Sequence, residues 1–467
     1  MRGLLQKVNP MRVQCRAVLI AVLASHLQAQ LPTAAKIDAI AERVLADTGA
    51  PSASIAVVKD GKIAYVRAYG NAQLEPATPA RPEMRYAIGS VSKQFMAGAI
   101  LMLVGEGKLS LDDPVARFLP DLTRAKQITI RELLTHTSGY QDYYPLDYVA
   151  PFMQKPVTAQ EILDTWAKKP LDFDPGTRWQ YSNTNFVVAG RILEKVTGMT
   201  LMSFLEGRIF RPLGMTSPID LAQKTLSASD AAGYTRFALG QPRPAPPEGR
   251  GWLFAAGELA MTAHDLALWD ISLIQHKLLK PALLDTMITP VRLKNGTPTG
   301  YGLGVGIRDA DGHPKLSHGG AVSGFVSENT VWADQGVAVV VLSNLDGTNA
   351  PNAITDQVAP LLLAEAEDPH AAQALEQARQ IFSDLQQGKI DRSLLTSDAD
   401  AYFTQQVLSD AETSLNPLGA PDSFRQISVE LRGGMTYRHF EIRSKGKALH
   451  LSTFTTPDGK LAQYLIQ

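Results

Sequence analysis

Ser90 and Lys93 stand three residues apart in the stretch Ala87-Ile88-Gly89-Ser90-Val91-Ser92-Lys93-Gln94-Phe95-Met96. The apolar run that follows (Phe95, Met96, Ile100, Leu101, Leu103, Val104) stops at Gly105 and Gly107, which predicts a buried helix beginning near Ser90. Side chains at i and i+3 share a helix face, so the hydroxyl and the amine can touch. The positive end of the helix dipole and burial both disfavour an ammonium there. A neutral amine beside a serine can take its proton and make it a nucleophile. A second Ser-x-x-Lys, Ser444-Lys445-Gly446-Lys447, lies in a polar glycine turn between two strand-like runs with no helix after it, and context discards it.

Two later stretches offer partners. Tyr181-Ser182-Asn183 stands on a loop just before a helix. A phenol beside a lysine loses its proton more easily and can serve as general base, while the amide can hydrogen-bond a substrate carbonyl. The plainer alternative is turn duty, as at Tyr69-Gly70-Asn71, placed by its sequence at the close of a hairpin upstream of the serine. His318-Gly319-Gly320 precedes a long apolar strand. Two glycines let a substrate approach the backbone, and an N–H there can join that of Ser90 in an oxyanion hole. The plainer alternative is a histidine in a glycine turn.

The elements that must position these residues follow from periodicity. An amphipathic helix is predicted over 32–47, with Ile37, Ile40, Val44 and Leu45 inward. Residues 53–58 and 62–66 flank Asp60-Gly61 as a hairpin. A short capped helix near Ile128–Gly139, a cleft-lining extended segment over 140–180, and helices through Phe186–Leu193 and from Thr262 come next. Tyr301–Gly306 reads as a strand, and 337–342 as one covered on both faces. A helix near 350–363 closes the unit. Beyond a linker at 366–372, residues 373–467 read as a small separate α+β domain of one main helix and four strands.

Lys+Arg 45 against Asp+Glu 46 leaves no basic excess for nucleic acid. The nine His form no ligand cluster, so no metal and no cofactor is expected. Arg12 and Arg16, an apolar run over 17–24 and small residues before Ala29 predict a secretory leader over 1–29, with Met11 an alternative start. The apolar run is too short to span a bilayer, so no integral membrane segment is expected once the leader is removed. The expected location is periplasmic or secreted. The single cysteine, Cys15, falls inside the leader, which excludes thiol chemistry from the remainder.

Taken together, Ser90-Val91-Ser92-Lys93, Tyr181-Ser182-Asn183 and His318-Gly319-Gly320 resemble, in order, the motifs of the serine β-lactamase and penicillin-binding-protein-like superfamily, in its class C-related branch. Leu134–Gly139, Ala255–Leu259 and Tyr301–Gly304 are also similar to that family. The resemblance covers residues 35 to 365 and implies a hydrolase domain at 30–365. Its fold would be α/β (α+β), β-lactamase/transpeptidase-like: an antiparallel sheet flanked by helices, plus an all-helical subdomain, with the site between them. It further implies Ser90 as nucleophile, Lys93 and Tyr181 as the proton-handling pair, Asn183, His318, Gly319 and Gly320 as substrate-binding residues, and the backbone N–H groups of Ser90 and Ala321 as the oxyanion hole.

One departure narrows the expectation. His318 stands where class C β-lactamases carry lysine, and a histidine is mostly neutral near pH 7. That favours an ester, a D-amino peptide or a related amide over a β-lactam as substrate. The expected activity is a serine hydrolase working through an acyl-enzyme on a small molecule or peptide. A class C-like β-lactamase and a non-catalytic sensor of cell-wall peptides are the alternatives; the intact Ser90, Lys93 and Tyr181 argue against the sensor. Oligomeric state is not readable from the chain.

Overall fold

The computed structural model describes residues 33–310, 313–363, 368 and 370–467. The expected leader at 1–29 lies outside the described residues, as do 366, 367 and 369 of the expected linker.

The run Val337–Ser343 is buried along its whole length and organises the first domain. It sits in a seven-stranded antiparallel sheet ordered 77–79, 62–74, 52–59, 337–343, 325–332, 313–322, 306–310. Strand side chains alternate between faces. Val337, Val339 and Val341 therefore pack with the helices Ala34–Thr48 and Ala350–Val358 on one side. Ala338, Val340 and Leu342 join the core formed with Ser92–Gly105 and Ala263–Ile274 on the other. The predicted hairpin is present as Ser52–Lys59 and Lys62–Leu74, turned at Asp60-Gly61. Tyr69-Gly70-Asn71 lies within the second of these strands rather than at a hairpin end.

The regular elements of the excursion between Tyr86–Ala87 and Leu259–Met261 are mainly helices, with short strands at Ile219–Asp220, Tyr234–Thr235 and Arg243–Pro244. Thr129 and Glu132 cap the short helix Ile130–Leu134 with a reciprocal capping box. The helix Asn183–Thr197 packs against it and against Ser92–Gly105, as the apolar positions Phe186, Val187, Ile192 and Leu193 require. This subdomain and the sheet face one another across a cleft.

Three further sequence expectations shift. The segment 140–180, expected to be extended, carries helical turns at Pro151–Gln154, Ala159–Ile162 and Leu163–Ala167. Ser90 lies in a 3-10 turn, Gly89–Val91, that leads directly into the α-helix at Ser92. Tyr301–Gly306 is not a strand, because its amides are claimed elsewhere: Leu303 N–H donates to Met287 O, Gly304 N–H to Leu134 O, and Gly302 N–H back to Val305 O. The strand begins only at Gly306.

Residues 371–467 carry a core of their own. Ile381, Phe382, Phe424, Phe440 and Leu451 are buried between the helices Ala371–Leu385 and Gln405–Leu415 and a four-stranded antiparallel sheet, Ser423–Arg432, Met435–Ser444, Lys447–Thr455 and Leu461–Ile466. The four predicted strands are all present. The helix starts at Ala371, inside the stretch expected to be linker. Asp368, also from that stretch, is gripped by Arg438 through Nε at 2.8 Å and a second guanidinium nitrogen at 3.0 Å, with both side chains buried. The guanidinium beside it, together with the His370 N–H and the Gln426 amide, holds the Asp368 carboxyl down at about 2, against the cost of burial.

Candidate active site

The turn bearing Ser90 is interlocked with the strand His313–Val322. A Cβ at Gly320 would lie 2.0 Å from Ile88 O, a separation that only glycine avoids. Gly89, at φ +51°, brings its own missing Cβ position to 2.9 Å from Ala321 N. Ser327 Oγ, from the next strand, donates to Ile88 O at 2.8 Å. Helix and strand thus meet with almost nothing between them, and the Ala321 amide is carried next to the Gly89-Ser90 segment.

Lys93 is fully buried. Its Nζ lies 2.9 Å from Ser90 Oγ, 2.8 Å from Asn183 Oδ1 and 2.6 Å from Ala256 O. Burial pulls its pKa down to about 7, and the Asp142 carboxylate, acting in the opposite sense, offsets only part of that. As a neutral amine it has two N–H groups, which Asn183 Oδ1 and Ala256 O satisfy. Its lone pair is then left for the Ser90 hydroxyl. The three contacts fit the deprotonated lysine without an unpaired group.

Tyr181 O–H donates to Ser90 Oγ at 2.7 Å. Here the structure reverses a sequence expectation. Burial pushes the Tyr181 hydroxyl well above its usual value, rather than the lysine lowering it. The reason is geometric: Lys93 Nζ sits over the ring face, 4.9 Å from its centroid, and its hydrogen bonds go elsewhere. The phenol is a proton donor to Ser90, and Lys93 is the group placed to accept.

His136 and Asp142 set this arrangement. The His136 ring lies 4.3 Å from that of Tyr181, and its Nδ1 accepts the Ser182 N–H at 3.1 Å. Asp142 Oδ1 accepts the Asn183 backbone N–H at 2.9 Å and the Asn183 amide nitrogen at 3.2 Å, which leaves the amide oxygen facing Lys93.

His318 borders the cleft, yet neither ring nitrogen is free. A carbonyl only accepts, so Nδ1 carries the proton and donates to Gly319 O at 2.6 Å. Nε2 is then the acceptor for Tyr301 O–H at 2.8 Å. Burial holds the imidazole down at about 3, so it is uncharged at neutral pH.

Ser90, Tyr181, Asn183, His318, Gly319, Gly320 and Ala321 all line one cleft of about 1370 Å³, with Lys93 directly beneath. Its outer wall is the segment Asp142–Val149. All the residues singled out in the sequence are therefore brought together. Ala256, His136 and Tyr301 stood inside stretches noted for their family likeness, but nothing in the sequence attached a contact to them. Asp142 carried no signal beyond its place in an aromatic- and Asp-rich segment.

A sequence model of the beta-lactamase family matches residues 37–364. The chain belongs to the beta-lactamase family. Among relatives in this family, a D-aminopeptidase of Brucella anthropi is 30% identical over 301 residues, covering 64% of this chain and 56% of that protein. The chain thus spans a little over half the length of that relative. The crystal structure of a D-stereospecific amidohydrolase from Streptomyces sp. superimposes with a TM-score of 0.60 at 27% identity, over 68% of this chain and 97% of that one. The octameric penicillin-binding protein homologue from Pyrococcus abyssi aligns with a TM-score of 0.62 at 21% identity over 93% of this chain and 99% of its own. That likeness of fold extends beyond the family domain into the C-terminal domain.

Proposed function

We propose that this protein is a serine hydrolase that forms an acyl-enzyme on Ser90 and cleaves amides or small peptides of D-amino acids. The observation that carries the reading is the contact of Ser90 Oγ with Lys93 Nζ on one side and Tyr181 O–H on the other, at 2.9 and 2.7 Å.

The proton movements follow from those two contacts. Lys93, a free base above about pH 7, takes the Ser90 proton as Oγ bonds to the substrate carbonyl carbon. The carbonyl oxygen becomes an oxyanion, for which the Ser90 and Ala321 N–H groups serve as donors in this reading. The C–N bond breaks, and the leaving nitrogen takes the proton of the Tyr181 hydroxyl. In the second half, a water gives a proton to the Tyr181 phenolate and attacks the ester. Ser90 Oγ recovers the proton stored on Lys93, and all groups return to their first state. Asn183 keeps its oxygen on Lys93 and its amide nitrogen on the Asp142 carboxylate.

Two lines support D-amino amides over β-lactams. Two proteins similar to this chain are named a D-aminopeptidase and a D-stereospecific amidohydrolase. His318, uncharged and with both nitrogens engaged, provides no cation for the carboxylate of a β-lactam. The test is a fluorophosphonate label followed by peptide mass mapping, together with D- and L-alanyl nitroanilides, a nitrophenyl ester and nitrocefin. The expected result is a label on Ser90 and turnover of the D-anilide above the L-anilide and nitrocefin. Folded protein that stays unlabelled would sink the acyl-enzyme. A preference for nitrocefin would place the chain with the β-lactamases in activity as well as family.

A further inference from the structure

We infer that Asp142 is a positioning residue of the site, whose carboxylate fixes the Asn183 amide against Lys93 and adds a negative charge to the surroundings of the Lys93 amine. The inference rests on the acyl-transfer reading for its kinetic consequence, and on hydrogen-bond geometry and the nearness of the carboxylate's charge for the rest.

The helix Asn183–Thr197 begins without a side-chain cap from Ser182. A helix start leaves backbone N–H groups that need acceptors, and a carboxylate is favoured there by the dipole. Asp142 fills that need from outside the helix. Oδ1 accepts from the Asn183 N–H at 2.9 Å and from the Tyr144 N–H at 3.1 Å, so the carboxylate also ties the cleft wall to the helix. The Asn183 amide nitrogen reaches both oxygens, at 3.2 and 3.3 Å.

This last contact decides the amide's orientation. A carboxylate accepts only, so the nitrogen must face Asp142 and the oxygen must face Lys93, where it accepts at 2.8 Å. Flipped, the amide would set N–H against N–H at Lys93 and oxygen against oxygen at Asp142. Asp142 thereby acts on Lys93 twice: through the amide, and through its own charge.

The other groups around Lys93 carry no competing charge at neutral pH. Ser90 comes from the turn before its own helix, and Tyr181 and Phe186 from the loop and helix opposite. Ala256 O comes from the turn before the strand Leu259–Met261. His136 and His318, from the capped-helix loop and the sheet, are both held below their usual range by burial. Asp142 is the carboxylate that raises the affinity of Lys93 for its proton, against the larger opposing effect of burial.

Two substitutions separate the roles. Asp142→Asn keeps an acceptor for the Asn183 N–H and removes the charge. Asp142→Ala removes both. With the full chain labelled at lysine 13Cε, the Lys93 titration read by NMR should move to lower pH in Asp142→Asn by about half a unit to one unit. The acid limb of kcat/KM on a nitrophenyl ester should move the same way. In Asp142→Ala, kcat should fall about 10- to 100-fold through misplacement of Asn183. Thermal melts confirm folding, and if the Ala variant fails to fold, the Asn variant still decides. A Lys93 titration unmoved in Asp142→Asn overturns the inference, as does a folded Ala variant with wild-type kcat. A displaced NMR titration in a protein with no turnover supports the inference and instead fails the acyl-transfer reading.

Discussion

The chain contains Ser-x-x-Lys twice, and the two copies share nothing beyond their spelling. At Ser90 the four residues pass from a 3-10 turn into a helix, and the half-buried serine meets the buried lysine at 2.9 Å at the floor of the cleft. At Ser444 the same spacing spans a two-residue hairpin turn, with Ser444 and Lys447 paired across adjacent strands. Ser444 Oγ donates instead to Leu418 O at 2.6 Å, while Lys447 stays exposed. The first serine is flanked by a lysine free base and a phenol. The second is a staple between a sheet and the 3-10 turn Asn416–Leu418. Spacing becomes chemistry only when a helix converts it into a shared face and a core removes the water.

The contrast can be broken or sharpened by substitution. The largest effect is expected at the nucleophile. Ser90→Ala should lower turnover by about 10⁴-fold or more and abolish fluorophosphonate labelling. Ser444→Ala should leave kcat/KM unchanged and cost about 1–2 kcal/mol in a denaturant melt, since it strands the buried Leu418 carbonyl. Equal kinetic loss at both serines would erase the distinction.

Next comes the lysine. Lys93→Met should reduce kcat by about 10³-fold, and Lys447→Met should be silent. The wild-type pH profile carries the same information. Lys93 has its pKa lowered to about 7, so the active free base is present above that pH and is lost as pH falls below it. kcat/KM should therefore drop tenfold per pH unit on the acid side, beginning near 7. A profile flat down to pH 5 would contradict the assignment of Lys93 as base.

Tyr181→Phe is expected to cost about 10²-fold on an anilide and less on a nitrophenyl ester, because a nitrophenolate leaves without needing a proton. Equal losses on both substrates would remove the donor role from Tyr181. The smallest effect on turnover concerns the domain that holds the second motif. Asp368→Asn should cost about 2–4 kcal/mol by leaving the buried Arg438 without its partner. The acid side checks the sign: a carboxyl held at about 2 in the folded state contributes stability above its unfolded pKa near 4. That contribution is lost as pH falls toward 2. Both effects should be visible in thermal melts, with turnover little affected.

Much of this was legible in the chain, for stated reasons. Ser90, Lys93, Tyr181 and Asn183 could be picked out because each stands at a helix start, where apolar periodicity betrays the register. The Val337–Leu342 run announced a strand buried on both faces, and Asp60-Gly61 announced a hairpin. What escaped lies in loops, where no period exists. Asp142 reaches Asn183 from a segment whose path is set by its contacts with another part of the chain. The Ala256 carbonyl reaches Lys93 from a turn in which Ala255 adopts φ +56°, a conformation its side chain does not advertise. The direction of the Tyr181 hydrogen bond was hidden for a different reason. Proximity in sequence logic says nothing of direction, and Lys93 approaches the ring's face, not its oxygen. His318 shows the same limit: its identity signalled a neutral third motif, while its bonds to Tyr301 and Gly319, which take up both nitrogens, required coordinates.

The missing side chain at Gly320 has one more consequence. With Ile88 O and Ser327 Oγ occupying the space where a methyl would stand, the serine turn and the strand beside it form a single rigid jaw. The opposite jaw, Asp142–Val149, is loop, and its Leu146 and Tyr148 side chains reach solvent. A tool with one fixed jaw and one adjustable jaw is retooled at the adjustable side. Changes in the substrates this scaffold accepts should therefore accumulate among the exposed residues 145–148, while position 320 stays locked to glycine.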